Sequence, residues 1–267
     1  MIVDVLCEKE LESIGHLQPA GWSDIISEFR FYINSPFCCT LKAVIDDKIA
    51  GLGASIEYGS TAWLAHIIVD KNYRRQGIGY RIVKALLQYL KQRSIETVLL
   101  IATELGKPLY EKAGFYTVGE YVYMQKEKPV RNIVTIDHMK RFNITLRSDV
   151  YDLDKKVTGE NRAWLLEKYL DQSWISIEHD NVTGYYIPNL REGLVIADTS
   201  RAGIELLKFK LSTHDKIVLP AENTAGINFL KTHGYSKTNS KGTRMVYGEN
   251  IFWHPEKIFS RIGGNFG

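Results

Sequence analysis

A buried strand, a glycine turn and an amphipathic helix follow one another directly in the first half of this sequence. The apolar run Trp63–Val69 predicts the strand, and Arg74-Arg-Gln-Gly77-Ile-Gly79 predicts a tight turn after it. Apolar residues at helical spacing predict the helix, namely Ile82, Val83, Leu86, Leu87 and Leu90. Such a turn delivers backbone N–H groups to a helix N-terminus, where phosphate binds, and its two arginines add positive charge. We therefore expect a phosphate-containing ligand at this turn.

A second strand and a second helix follow along the chain. Thr97–Ala102 predicts a buried strand, and Gly106–Phe115 predicts a short helix with a glycine cap. The order of strand, Arg-x-x-Gly-x-Gly and helix resembles the acetyl-CoA pyrophosphate loop of the GNAT superfamily of N-acetyltransferases. The run Leu-Tyr110-Glu-Lys-Ala-Gly-Phe is similar to the second GNAT signature. A dinucleotide-binding turn fits less well, because Ile82 stands where its third glycine is needed.

The resemblance implies an acetyl-CoA site without a metal ion. In the family, the strand before the loop offers its main chain to the pantetheine arm, which here means Ile67, Ile68 and Val69. The Val69 N–H would lie near the thioester oxygen. The resemblance places the rest of the cofactor on the loop and the first helical turn, at Arg74, Arg75, Gln76, Gly77, Ile78, Gly79 and Tyr80. Tyr110 matches the tyrosine that donates a proton to the CoA sulfur in many relatives, and we predict that it is the general acid.

The group that removes the proton from the amine stays open at the level of sequence. His66 titrates near neutral pH, but strict strand alternation places its side chain opposite that of Val69, unless a bulge reverses the register. Relatives with a base on this strand carry it on the Val69 face, where alternation places only apolar residues, which are Trp63, Ala65 and Ile67. The other candidates for the base are Glu57, Glu104 and a water molecule.

A group of aromatic residues lies where the first helices of the family line the acceptor side. Its members are Trp22, Phe29, Phe31, Tyr32 and Phe37. The spacing of Trp22, Phe29 and Ile33 is also that of the core face of a helix. The sequence therefore leaves open whether these rings serve the acceptor or the core.

The second half of the chain repeats the strand and helix signature. Lys216–Pro220 predicts a strand, and Asn223–Tyr235 carries Asn-x-x-Ala, an apolar pair and Gly-aromatic. Gly114 and Gly234 lie 120 residues apart, which is the length of one small α/β domain. We predict an α/β (α+β) protein of two tandem GNAT-like domains, each with a mixed, mostly antiparallel twisted sheet flanked by helices. The predicted bounds are 1–126 for a catalytic domain, 127–143 for a linker and 144–267 for a second domain.

The second copy lacks the parts that carry chemistry. No Arg-x-x-Gly-x-Gly follows its strand Gly193–Ala197, and Leu230 stands where the first copy has Tyr110. We therefore predict a degenerate domain that binds no acetyl-CoA and either serves the structure or shapes the substrate pocket.

Composition limits the binding partners and the cellular compartment that we expect for this protein. The net charge of +3 and the scattered basic residues argue against a nucleic-acid partner. The three cysteines, Cys7, Cys38 and Cys39, form neither a disulfide ladder nor a metal-binding pair, which suits a reducing cytoplasm. No apolar run approaches the roughly 18 residues that a membrane span needs. We expect a cytoplasmic protein without a membrane partner.

The leading hypothesis is an acetyl-CoA-dependent N-acetyltransferase that acts on the amine of a small molecule or an amino acid derivative. The alternative is a catalytically silent sensor or pseudoenzyme that binds acyl-CoA. The lack of an obvious base favours the sensor, and Tyr110 favours the enzyme. Acylation of a protein lysine is a third possibility, but the sequence shows no charged docking surface for it. The acceptor and the oligomeric state do not follow from the sequence.

Overall fold

The computed structural model describes residues 1–126 and 139–267, which form two compact units. The first unit comprises Met1–Thr117, Met245–Asn250 and Phe266, and the second comprises Val118–Arg244, Ile251–Asn265 and Gly267. The units are interleaved in sequence, whereas the predicted domains of 1–126 and 144–267 are continuous; these bounds stay a prediction. Most of the predicted linker at 127–143 lies outside the described residues.

The first unit is a twisted sheet with helices on both faces. Its strands are β1 (Ile2–Val5), β2 (Cys38–Ile45), β3 (Lys48–Tyr58), β4 (Thr61–Val69) and β5 (Thr97–Ala102). They lie in the order β1-β2-β3-β4-β5, with antiparallel pairing up to β4 and parallel pairing between β4 and β5. Met245–Asn250 belongs to the same unit, and its Glu249 carbonyl accepts a hydrogen bond from Thr97 Oγ1 at 3.0 Å.

Three α-helices and a 3₁₀ helix at Glu8–Leu17 cover this sheet. Helix α1 (Ile25–Ile33) begins at Asp24, whose carboxylate accepts from the Ile26 and Ser27 amides, as a helix N-cap does. Helix α2 (Ile78–Gln92) buries a continuous apolar face, because its Ile82, Val83, Leu86, Leu87 and Leu90 lie at helical spacing. Helix α3 (Lys107–Ala113) ends at Gly114, whose φ of 103° suits a glycine cap.

The second unit contains β6 (Tyr116–Gln125, from Val118 onward), β7 (Met139–Arg141), α4 (Arg147–Thr158), α5 (Ala163–Leu166), β8 (Trp174–Glu178), β9 (Asn181–Ile187), β10 (Leu194–Ala197), α6 (Ser200–Leu211), β11 (Lys216–Pro220), α7 (Thr224–Thr232), β12 (Ser236–Tyr247, up to Arg244) and β13 (Ile258–Ser260). Antiparallel strands in the order β13-β10-β9-β8-β7 form one sheet, and β6 pairs with β11 in antiparallel fashion. Helix α6 packs on the first of these sheets through Leu206 and Leu207.

The predicted fold class is confirmed, since both units combine twisted, mostly antiparallel sheets with flanking helices. Within residues 1–126 and 139–267, no helix is both long enough and apolar enough to cross a membrane.

Candidate active site

Strands β4 and β5 separate partway along their length. Their parallel pairing joins Thr61–Trp63 to Thr97–Leu99 and extends no further among the described residues. The main chain of β4 beyond Trp63 is therefore open along its β5 side. An open strand edge presents backbone N–H and C=O groups that require hydrogen-bonding partners.

Val69 turns its backbone polar groups toward this open edge. The Asp70 amide donates to the Ala50 carbonyl at 2.9 Å, so residue 70 forms a hydrogen-bonded pair with β3. In an antiparallel ladder the neighbouring residue then directs its N–H and C=O away from the partner strand. The Val69 carbonyl accordingly accepts a hydrogen bond from Arg74 Nε at 3.2 Å. Ile67, Ile68 and Val69, the residues predicted along the pantetheine arm, all lie on this separated part of β4.

The predicted phosphate turn lies at the start of α2. Gly77 is the N-cap of the helix with φ +78°, and a Cβ built on it would meet no atom within 4 Å. The first-turn amides of Ile78, Gly79 and Tyr80 have no intrahelical acceptor, as in any helix. Gly77 has no side chain that could accept a hydrogen bond from them. Arg74, Arg75 and Gln76 precede them and are exposed. The turn therefore combines open space, amide donors and positive charge.

Gly79 has a different role from Gly77. A Cβ at Gly79 would lie 2.7 Å from Leu109 Cδ1 and 3.4 Å from Val69 Cγ2. The absence of a side chain thus lets the first turn of α2 pack closely against α3 and β4. Lys112 of α3 places its ammonium 5.2 Å from the ring centre of Tyr80, so the two helices also meet through a cation–π contact.

A β-bulge in β4 corrects the side-chain directions expected from strict alternation. Ala65 pairs with Ala54 and Ile68 pairs with Leu52, so two residues of β4, His66 and Ile67, face the single Gly53 of β3. Ile67 and Val69 therefore pack on the α2 side in the same apolar cluster as Leu64. The expectation that Ile67 and Val69 share a face with Trp63 and Ala65 is wrong, because the bulge shifts the alternation by one residue.

The bulge directs His66 to the α1 side of the sheet. Its φ of +48° lies in the left-handed region, which non-glycine residues rarely occupy. Non-glycine residues in this conformation are concentrated at functional sites. His66 is 3% exposed, and its Nδ1 lies 2.8 Å from the hydroxyl oxygen of Tyr32. The rings of Trp22 and Phe29 lie 5.5 and 5.9 Å from the imidazole, measured between centroids. Of these rings, Trp22 reaches the surface, since 43% of it is exposed.

Tyr110 lies on the opposite side of the sheet from His66. It packs with Leu109 against the apolar cluster of α2, and its ring makes an edge contact with Phe115 at 5.8 Å between centroids. A Cβ on Gly106 would lie 3.2 Å from Tyr110 Cε2, so a glycine at the start of α3 leaves room for this ring. Burial raises the pKa of the Tyr110 hydroxyl, and the side chain is therefore a neutral phenol at physiological pH.

The two carboxylates considered as bases lie in different surroundings. Glu57 is 6% exposed and lies on the α2 side of the sheet, where Arg93 Nε donates to it at 2.7 Å and the Tyr89 hydroxyl donates at 3.3 Å. Glu57 is thus an ion-paired carboxylate on the face of the sheet opposite His66. Glu104 is exposed in the turn between β5 and α3.

The aromatic group predicted on the acceptor side is partly assembled around His66. Trp22, Phe29 and Tyr32 contact the imidazole, and Phe31 contacts Tyr32 at 5.9 Å between centroids. Phe37 is 40% exposed. The structure adds Phe266, which contacts Phe31 and Tyr32 and which sequence reasoning missed, because nothing near it in the sequence links it to α1.

The corresponding elements of the second unit carry no such turn. Helix α6 follows β10 as α2 follows β4, but its N-cap is Thr199, whose hydroxyl accepts from the Ala202 amide at 3.2 Å. One of its first-turn amides is therefore satisfied by the side chain of its N-cap, which Gly77 cannot do for α2. Leu230, in the position that corresponds to Tyr110, is fully buried in the core of this unit.

Comparison with known proteins agrees with this geometry. Residues 10–127 match the family model described as an acetyltransferase (GNAT) domain. The chain is 26% identical over 259 residues to the Bacillus subtilis (strain 168) protein named Uncharacterized N-acetyltransferase YitH, covering 88% of this chain and 89% of that one. It is 28% identical over 111 residues to N-acetylaspartate synthetase of Xenopus tropicalis, covering 40% and 41% of the two chains.

Among solved structures, a putative acetyltransferase from Pyrococcus horikoshii has the same fold. It superposes with a TM-score of 0.83 at 22% identity, over 100% of this chain and 95% of the other. The family match, the relatives and the shared fold agree with the open strand edge and the phosphate turn. Residues 10–127 therefore form a GNAT acetyltransferase domain, and the chain as a whole is similar to a protein named as an N-acetyltransferase.

Proposed function

We propose that this protein transfers the acetyl group of acetyl-CoA to the amine of a small molecule or an amino acid derivative. The observation that carries the proposal is the separation of β4 from β5 directly before the uncapped N-terminus of α2. The relative named N-acetylaspartate synthetase supports an amino acid as the type of acceptor, since its name describes an acetylated amino acid.

The cofactor is assigned to the residues predicted from sequence. The pyrophosphate accepts hydrogen bonds from the amides of the first turn of α2, and the positive end of the helix dipole favours its charge. Arg74 and Arg75, both exposed beside the turn, supply cationic partners. The pantetheine arm follows the open edge of β4, where Val69 turns its N–H and C=O outward.

The reaction forms one bond and breaks one. The amine nitrogen attacks the thioester carbonyl carbon, the C–N bond forms, and the C–S bond breaks with release of CoA as a thiolate. The carbonyl oxygen gains negative charge in the transition state, and the N–H of Val69 is the donor assigned to it. The acceptor loses one proton and the thiolate gains one, so the protons balance.

Tyr110 is the group proposed to protonate the sulfur. Its raised pKa keeps the phenol protonated throughout the physiological range. Even at the ordinary tyrosine value, full transfer to a thiolate is uphill by about 2 kcal/mol, because a thiol has a pKa of about 8.5. The phenol therefore acts as a hydrogen-bond donor to the sulfur while the C–S bond breaks, and the proton moves as the products form.

His66 is the base that the geometry favours among the candidates. It lies on the α1 face at the separated part of β4, while Tyr110 lies on the α2 face. An amine that enters from the α1 side loses its proton there, and the thiolate gains its proton on the other side. Glu57 is disfavoured by its ion pair with Arg93.

The C-terminal half is proposed as a degenerate GNAT-like domain without a cofactor of its own. The capped N-terminus of α6 and the apolar Leu230 support this assignment. The proposed role of this domain is either to support the structure or to shape the acceptor pocket.

The experiment is a steady-state assay of thiol release from acetyl-CoA against a panel of amines that includes amino acids and small polyamines. The proposal expects saturable, amine-dependent release with the acetylated amine as product, identified by mass spectrometry. Binding of acetyl-CoA without turnover on any amine would instead favour the catalytically silent sensor.

A further inference from the structure

A chain of three aromatic side chains links His66 to Phe266 within the first unit. His66 Nδ1 contacts the Tyr32 hydroxyl at 2.8 Å, and the ring of Tyr32 lies 5.9 Å from that of Phe266 at an interplanar angle of 37°. Tyr32 is fully buried, and Phe266 is 1% exposed. Phe266 makes a second, edge-on contact with Phe31 at 5.8 Å. Phe266 therefore packs against two adjacent residues of the last turn of α1.

The Tyr32 hydroxyl can fix the tautomer of His66. A phenol can donate or accept here, and when its oxygen accepts from Nδ1–H it holds the ring in the Nδ1–H tautomer. In that tautomer Nε2 is the basic nitrogen. The same hydrogen bond persists when the ring gains a second proton at Nε2, and it strengthens because its donor is then charged. This arrangement suits an imidazole that must receive a proton and lose it again in every turnover.

The strained backbone makes such support necessary. At φ +48° the backbone of His66 is in a sparsely populated conformation, which persists only where surrounding contacts enforce it. The ring is held by Trp22, Phe29 and Tyr32, and Tyr32 places its hydroxyl 2.8 Å from the ring nitrogen Nδ1. The position of the Tyr32 hydroxyl depends in turn on the rings that pack against Tyr32, which are Phe29 and Phe31 of the same helix and Phe266 from the end of the chain.

We propose that Tyr32 and Phe266 are positioning residues for His66. Tyr32 orients the imidazole and sets its tautomer, and Phe266 holds the Tyr32 ring in the orientation that makes this hydrogen bond. The inference rests on the proposed role of His66 as the base. It assigns a part in the reaction to a residue far along the chain from every GNAT motif.

The pH dependence separates this role from simple packing. Tyr32 stabilises the imidazolium more than the neutral ring, so removal of its hydroxyl disfavours the protonated form. The acid limb of the kcat profile then moves to lower pH. The charged group on the same buried face of α1 is Glu28, which accepts a hydrogen bond from Ser23 Oγ at 3.2 Å and is unchanged in all variants. Trp22 and Phe29, which also contact the imidazole, do not titrate.

The test is a double-mutant cycle on the full chain with Tyr32→Phe, Phe266→Leu and the combination of both, each assayed for kcat across pH. Tyr32→Phe keeps the ring and removes the hydroxyl, and Phe266→Leu keeps the site apolar so that the chain still folds. We expect each single variant to lower kcat about 10-fold, the size of a lost hydrogen bond to a charged group, with little change in the KM for acetyl-CoA. In the Tyr32→Phe background, Phe266→Leu should lower kcat little further.

Two control variants make the outcomes distinguishable. Phe252→Leu changes an aromatic side chain that is 79% exposed, and it should leave kcat and the pH profile unchanged. His66→Asn tests the base itself, with a residue that tolerates a positive φ. If His66→Asn leaves kcat intact, both the base assignment and the positioning inference fall. If His66→Asn lowers kcat but Phe266→Leu lowers it equally in both backgrounds, without a shift of the acid limb, the positioning inference alone is overturned.

Discussion

At the scale of single residues, the proposed mechanism depends on where the protein places the proposed acid and the proposed base. Tyr110 and His66 lie on opposite sides of the sheet, at the point where β4 and β5 separate. Burial raises the pKa of Tyr110 and keeps it protonated, while a left-handed backbone turns His66 toward α1. This arrangement puts the proposed acid and the proposed base on separate faces of the sheet, where each can serve one of the two reacting groups.

The hydroxyl of Tyr110 is the first target for mutation. Tyr110→Phe keeps the packing against Phe115 and removes only the donor to the sulfur. We expect kcat to fall about 100-fold while the affinity for acetyl-CoA changes little, as for the loss of a transition-state interaction. Thiol release measures the rate. Tyr116→Phe is the control, because that hydroxyl is bonded to the Gly248 carbonyl and should not affect turnover. An unchanged kcat for Tyr110→Phe would make Tyr110 a core residue.

The raised pKa of Tyr110 predicts the basic side of the pH profile. A general acid loses activity when it deprotonates, and an unperturbed tyrosine does so near pH 10. Because burial raises the pKa of Tyr110, the loss is displaced to higher pH. We expect kcat to show no fall centred at pH 10, measured with an amine that is already neutral there. A fall at that pH that disappears in Tyr110→Phe would show an exposed, ordinary phenol.

At the scale of elements, the sequence predicted the parts with strong local signals. The β4 strand, the turn and α2 were expected from apolar spacing and glycines, and the structure contains them at Thr61–Val69 and Ile78–Gln92. The bulge was not predictable, because a one-residue shift depends on how β4 pairs with Gly53 of β3 and leaves the composition of the strand unchanged. The side of the sheet on which the His66 side chain lies is therefore known only from the structure.

The close approach of α2 and α3 at Gly79 is a prediction about stability. In Gly79→Val the added side chain meets Leu109 and Val69, and we expect the free energy of unfolding to fall by about 2 kcal/mol through overpacking. Urea denaturation measures the change. Leu109→Ala creates room, so the cost of Gly79→Val should be smaller in that background. Gly15→Val is the control, since its Cβ would make only an ordinary 3.7 Å contact. Equal costs at Gly79 and Gly15 would contradict this account of the helix contact.

At the scale of the whole molecule, the chain is two α/β units whose sequence segments interleave. Met245–Asn250 and Phe266 belong to the first unit although Val118–Arg244 of the second unit precedes them along the chain. Such long-range returns carry no local sequence signal, which is why continuous domains at 1–126 and 144–267 were predicted. The location in the cytoplasm, inferred from three cysteines that the structure leaves unbridged, stays a prediction.

The central claim is that one acetyl-CoA binds each chain at the N-terminus of α2. Calorimetric titration of acetyl-CoA into the full chain tests it most directly, with Gly77→Asp and Gly21→Asp as a matched pair. Both glycines have φ +78° and open space at the Cβ, so the two variants carry the same strain and charge. We predict one site per chain, an affinity at least about 10-fold weaker in Gly77→Asp because a carboxylate would face the pyrophosphate, and an unchanged affinity in Gly21→Asp. Two sites per chain, or equal affinity in Gly77→Asp and the unmodified chain, would contradict the account.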